Sequence, residues 1–270
     1  MFKISILPEE IEPMPLGAFP GEIRVISSPD KEYYRAIKYL RDQKIIGFDT
    51  ETRPVFSPGQ KHNGTALLQL SGPDRAFLFR IQSLGMRHSL CNILANERIL
   101  KIGAATHDDV RGLQRYTKFE PKGFVDLQKI GWEWGIRDKS VKKMSAIILG
   151  LRISKAQQLS NWEAEELSES QQMYAATDAW ICREMYLKLL ESEKNPLTPE
   201  HINPPQPQQQ QPQSTGEKPA EPVKKAKKKR HRHKRKKISN DKNISEKGQG
   251  GVSEKVPSLG VLGSDCPDRG

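Results

Sequence analysis

Cysteine is almost missing from this chain: Cys91, Cys182 and Cys266 are the only three in 270 residues. Their number is odd and no pair is spaced as CxxC, which argues against a disulfide framework and a thiolate metal site and points to a reducing compartment. Long apolar runs are missing too. No stretch approaches the roughly 18 to 20 apolar residues that cross a bilayer. The opening Met1-Phe2-Lys3-Ile4-Ser5-Ile6-Leu7-Pro8-Glu9-Glu10 meets acids too soon for a signal peptide. The expectation is a soluble cytoplasmic protein with no membrane partner, or a nuclear one if the source is eukaryotic. Hydrophobic residues are scarce at 35%, against about 45–50% in an ordinary globular domain, so part of the chain is expected not to fold. No internal repeat is visible, which argues against a solenoid.

Charge is plentiful and uneven. The net charge is +11, yet residues 1–195 carry 28 Lys and Arg against 25 Asp and Glu, while residues 196–270 carry 16 against 8. Residues 204–213 are rich in proline and glutamine, and residues 224–237 hold eleven Lys or Arg with two His. Such composition buries no core, so 196–270 is expected to be disordered. Lys227, Lys228, Lys229, Arg230, Lys234 and Arg235 sit in the basic run. A flexible cationic segment attracts phosphates by counterion release and would tether nucleic acid without reading its sequence. A nuclear-import signal and a merely solubilising tail are the rival readings.

Residues 1–20 contain four prolines and read as an irregular arm. Residues 22–27 alternate apolar and polar side chains as a strand does. Asp30 is placed to cap a helix carrying Tyr33, Tyr34, Ile37 and Leu40. Ile45-Ile46-Gly47-Phe48-Asp49 is a buried-strand pattern. Residues 65–71 and 76–81 form a hairpin around Gly72-Pro73-Asp74. A helix near 89–98, a strand from 100 to 105, a helix from about Asp108 and a short strand at 124–126 follow, then helical sequence to about 194. A hairpin among alternating strands and helices gives an α/β sandwich with a mixed sheet of about five strands. The domain is expected to span 21–195.

Three groups of side chains carry chemistry. Asp49 and Glu51 are two apart on a strand and therefore share a face. Two carboxylates so placed repel unless a cation lies between them, and hard Mg²⁺ or Mn²⁺ prefers oxygen ligands. Taken alone, the pattern fits a solvated strand end at least as well. Tyr174 and Asp178, four apart, share a helix face that continues through Ile181, Cys182, Met185 and Leu189. An aspartate in that apolar stripe is costly unless paired or coordinated. Lys101 to Asp109 delivers two adjacent acids to a helix start, where Asp108 and Asp109 equally suit simple helix capping. The four tryptophans, Trp132, Trp134, Trp162 and Trp180, fit a core.

Together these segments resemble the DEDDy subgroup of the 3′→5′ exonucleases, in the ribonuclease H-like superfamily, with ribonuclease D-like enzymes and the Werner syndrome exonuclease domain among its members. Ile46-Gly47-Phe48-Asp49-Thr50-Glu51-Thr52 matches the first motif. Lys101-x-Gly103 with Asp109 and Leu113 matches the second, and Tyr174-Ala-Ala-Thr-Asp178-Ala179 the third. Ala66-Leu67-Leu68-Gln69-Leu70, Val125-Asp126-Leu127 and Leu159-Ser160-x-Trp162 add to it. The resemblance covers about residues 20–195 and implies a three-layer sandwich. It also implies two divalent cations, Mg²⁺ or Mn²⁺, with Asp49 bridging both, Glu51 and Asp178 completing one site and Asp109 helping with the other. The spacing to Leu113 selects Asp109; a one-residue slip would select Asp108. Tyr174 would orient the attacking water. The implied activity releases nucleoside 5′-monophosphates from the 3′ end of DNA or RNA. The alternative is a nucleic-acid-binding scaffold on an inactive fold. Thr50, His62, Leu67 and Ser160 are candidates to touch the terminal nucleotide, and Lys155 and Gln158 to face the nucleic-acid cleft.

Overall fold

The structure, a computed structural model, describes residues 1–55, 63–198 and 201. His62 and the basic run 224–237, with Lys227 to Arg235, lie outside the described residues. The chain opens with one helical turn, α1 (Pro8–Ile11), then β1 (Glu22–Ile26), α2 (Lys31–Arg41) and β2 (Ile45–Thr52). The hairpin β3 (Thr65–Ser71) and β4 (Arg75–Arg80) follows. Short helices α3 (Ile81–Leu84) and α4 (His88–Leu94) lead to β5 (Leu100–Gly103), α5 (Thr106–Gln114) and β6 (Phe124–Asp126). The remainder is α6 (Leu127–Ile130), a 3₁₀ turn at Gly131–Trp134, α7 (Val141–Leu149) and the long α8 (Glu169–Leu190).

The sheet is mixed and has six strands in the order β1-β4-β3-β2-β5-β6, one more than the five or so expected. The count rises because both short edge pieces pair as full members: β1 runs parallel to β4 over five residues and β6 parallel to β5 over three. The centre is an antiparallel meander of β2, β3 and β4, with β5 parallel to β2.

Local chemistry sets these boundaries. Asp30 accepts hydrogen bonds from the backbone N–H groups of Glu32 and Tyr33, at 2.9 and 3.1 Å, and so starts α2. Gly72 closes the hairpin by donating its N–H to the Arg75 carbonyl at 2.9 Å. Helix α5 starts two residues before Asp108, because Ala105 takes the left-handed conformation (φ 57°) and turns the chain there. Ser168 and Gln171 bond reciprocally at the start of α8.

Helices cover both sheet faces. Tyr33, Leu40, Phe48, Leu70, Phe79 and Leu90 belong to one core beneath α2, α4 and α5. Ile102, Trp134, Met144, Ile181 and Met185 form the second, against α7 and α8. Trp162 is buried as well, whereas Trp132 is 49% exposed and departs from the expected core placement. The proline-rich arm is packed down: Ile6 and Ile11 are buried against Ala146, and Phe19 against Ala176.

Candidate active site

Alternation along β2 sends Gly47, Asp49 and Glu51 to the α8 face of the sheet and Ile46, Phe48 and Thr50 to the other. Helix α8 crosses β2 closely because its contact residues are small. Ala175, Ala176 and Ala179 are fully buried. A Cβ on Gly47 would lie 1.8 Å from the Ala179 carbonyl oxygen. This approach brings Asp178 over the end of β2. One carboxylate oxygen from each of Asp49, Glu51 and Asp178 lies within 4.8 Å of the other two. Gln69, opposite Asp49 in the ladder, is fully buried, and its amide has no partner among the described residues.

Asp109 arrives from the opposite layer. It sits in the first turn of α5 and accepts a hydrogen bond from Thr50 Oγ1 at 2.6 Å. Because Thr50 points away from Asp49 and Glu51, Asp109 flanks the trio and is not part of it. Asp108, its neighbour, is exposed to solvent.

Crowding shows in the proton affinities. Burial, then the charges of Asp178, Glu51 and Asp109, holds the Asp49 carboxyl well above the usual range. Burial pushes Glu51 up to about 9, with Asp178 and Asp109 adding to it. Asp178 rises to about 7 through burial, against the pull of the Tyr174 phenol and Lys155. Asp109 rises to about 6 by burial, with the Thr50 hydroxyl opposing. Tyr174 is raised by burial first and then by the charges of Asp178 and Glu51. Asp49, Glu51, Asp178 and Tyr174 line a cleft of about 340 Å³ whose only cationic side chains, among the described residues, are Lys142 and Lys155, while Asp109 lies outside its lining. Three acids facing two lysines still leave an excess of negative charge, and three carboxylate oxygens within 4.8 Å of one another fit a hard divalent cation.

Residues 25–192 match the 3′–5′ exonuclease family. This chain belongs to that family. The bifunctional 3′–5′ exonuclease/ATP-dependent helicase WRN of Mus musculus is 31% identical over 161 residues, covering 56% of this chain and 11% of its own length. Exonuclease 3′–5′ domain-containing protein 2 of Mus musculus is 32% identical over 163 residues, or 56% of this chain and 25% of its own. The EXO domain of Nibbler from Aedes aegypti superposes with a TM-score of 0.56 at 21% identity, over 65% of this chain and 91% of that one. This chain thus spans about a tenth to a quarter of the length of those two curated relatives. The fold is the ribonuclease H-like α/β sandwich of the exonuclease domains.

Within this exonuclease domain the other candidates separate. Lys155, Gln158 and Thr50 line the cleft. The Thr50 hydroxyl is committed as a donor to Asp109. Leu67 is a correction: it has no exposed surface and packs with Trp162 and Ala175, so it offers nothing to a nucleotide. Ser160 accepts from Gln171 Nε2 at 3.0 Å, which ties the loop before α8 to the helix start. The Tyr174 ring rests 5.9 Å from that of Trp162, so the buried indole fixes the phenol. Sequence reading missed Ser140, Val141 and Lys142, which bring the start of α7 to the cleft. The signal was present, since Ser140 caps that helix by accepting from Lys143 N–H at 3.3 Å.

Proposed function

We propose that this exonuclease domain is a DEDDy-type, metal-dependent 3′→5′ exonuclease. It hydrolyses the terminal phosphodiester bond of a DNA or RNA strand and releases a nucleoside 5′-monophosphate. The observation that carries the reading is the convergence of Asp49, Glu51 and Asp178, within 4.8 Å of one another, in the cleft that Tyr174 lines. Asp49, Glu51 and Asp178 would hold one divalent cation, and Asp109 would help Asp49 hold a second. Mg²⁺ or Mn²⁺ bound there supplies Lewis acidity and neutralises charge on the scissile phosphate.

The chain's own groups do the rest. Lys142 and Lys155 face the strand's phosphates across the cleft. Tyr174, with its proton affinity raised, keeps its proton at neutral pH in the metal-free chain and donates it in a hydrogen bond to Asp178, and its oxygen would accept a hydrogen bond that orients the attacking water. Trp162 holds that phenol in place. The basic run 224–237 would raise the local concentration of strands near the cleft.

Digestion of 5′-labelled DNA and RNA strands by the purified chain, with Mg²⁺, Mn²⁺ or EDTA, tests this. Stepwise shortening from the 3′ end, lost in EDTA and in Asp178→Asn, is the expected result. Binding of the strands without shortening under either metal would instead identify a scaffold.

A further inference from the structure

Beside the carboxylate cleft lies a second hollow, of about 200 Å³. Leu16, Gly17 and Ala18 of the arm line one side and Met173 and Thr177 of α8 the other, with Ala156 also in the lining. It shares Ser154, Tyr174 and Asp178 with the cleft, so the two hollows adjoin at this tyrosine and aspartate. We propose that this slot binds a nucleobase of the substrate strand, at a nucleotide flanking the scissile phosphate. The proposal rests on the exonuclease reading of the cleft.

The slot is pinned open. Gly17 donates its N–H to the Arg152 carbonyl at 2.8 Å, and Arg152 returns its own N–H to Pro15 at 3.0 Å. Arg152 Nε also donates to the Met14 carbonyl at 3.0 Å. On the far side, the Phe19 N–H donates to Thr177 Oγ1 at 3.0 Å, and the Phe19 ring meets Trp180 edge-on at 6.1 Å. A wall fixed at both ends needs little ordering when a ligand enters.

Chemistry selects the occupant. Among the described residues Asp178 is the one charged side chain in the lining and no lysine or arginine lines the slot, so a phosphate would be repelled. A base is neutral and flat. Its faces suit Leu16 and the polarizable sulfur of Met173, which stand 53% and 39% exposed. Its edge atoms suit the amide of Gln157 and the hydroxyl of Ser170. Contact with Tyr174 and Asp178, which also line the cleft, makes the occupant part of the strand being cut. The family match begins at residue 25, so the arm wall lies outside it.

The test uses the full chain with Mn²⁺ and DNA strands bearing one abasic residue at the terminal, second or third position from the 3′ end. In the wild type, one of the two positions flanking the scissile bond should raise KM about tenfold when abasic, the scale of losing one base stack. Ala156→Phe, at an exposed position, fills the slot and should raise KM about tenfold on the intact strand, with no further penalty at that abasic position. Met173→Ala removes a wall and should shrink the same penalty, which covers the case in which the phenylalanine variant does not fold. A wild type that cuts intact and abasic strands with equal KM would overturn the slot alone. So would variants that keep the full abasic penalty. A wild type that shortens no strand would remove the exonuclease reading, and the slot's role with it.

Discussion

Thr50 donates its hydroxyl to Asp109 at 2.6 Å, joining the middle residue of Asp49-Thr50-Glu51 to the first turn of α5. The bond crosses from strand to helix on the face opposite Asp49 and Glu51, so it sets how far Asp109 leans toward them. It also lowers the proton affinity of a carboxyl that burial raises, and the net result is about 6. Thr50→Val keeps the shape and removes the donor. The expected loss is about 1 kcal/mol of stability. In the metal-free chain Asp109 would then hold its proton more tightly, so proton competition should weaken Mn²⁺ binding at a higher pH than in the wild type. Mn²⁺ titrations from pH 5 to 8 read this, and an unchanged pH dependence would show that the hydroxyl does not control Asp109.

Tyr174 gives a second expectation. Its phenol is driven above its ordinary range by burial and by the negative charge of Asp178 and Glu51, so it donates and does not act as a base. Tyr174→Phe should lower kcat by about a hundredfold, in the range typical of losing one positioned proton-transfer or hydrogen-bonding group. The shape of its pH profile between 6 and 9 should match the wild type. Loss of a basic limb in the variant would mean that the phenolate takes part.

The trio of acids predicts how metal and pH act on stability. Aspartate and glutamate in an unfolded chain titrate near 4, whereas Glu51 here titrates at about 9 and Asp178 at about 7, with Asp49 also raised. Between pH 5 and 8 the folded metal-free chain therefore holds more protons than the unfolded one, and its stability falls as pH rises. Lys101, lowered to about 8, adds an opposite slope only above that window. Melting in EDTA should show Tm dropping from pH 5 to 8. Asp178→Asn should flatten the drop, and Mn²⁺ should raise Tm most at pH 8. A flat wild-type curve in EDTA would contradict the crowding of these carboxylates.

How much of this was legible in the sequence follows from the range of each interaction. Asp49 with Glu51, and Tyr174 with Asp178, share faces because strands repeat every two residues and helices every 3.6, so their pairing could be read locally. Which of Asp108 and Asp109 turns inward could not, since both suit a helix start. The contact that distinguishes them is to Thr50, 59 residues away. Where the arm packs could not be read for the same reason. Its prolines give no periodic pattern, and its anchors, Arg152 and Thr177, lie more than 130 residues further on. Leu67 fitted core better than substrate from its strand alone, and its packing with Trp162, 95 residues further on, is what places it there.

Gly47 makes the last case, because its side-chain absence holds the two halves of the site together. A Cβ there would stand 1.8 Å from the Ala179 carbonyl oxygen and 2.5 Å from its carbon, and both atoms are helix backbone. No rotamer change relieves such a clash, so α8 must lift from β2. Gly47→Ala should therefore cost about 3 kcal/mol or more, a Tm loss of roughly 10 °C for a domain of this size. Because Asp178 precedes Ala179, the same shift should pull its carboxylate from Asp49 and Glu51 and weaken Mn²⁺ binding. Ala179→Gly would not restore either property, since the obstacle is the carbonyl and not the methyl. Calorimetry and Mn²⁺ titration of Gly47→Ala and the double variant check this, and a Gly47→Ala protein with wild-type Tm and metal affinity would mean that α8 does not ride on β2 at this point.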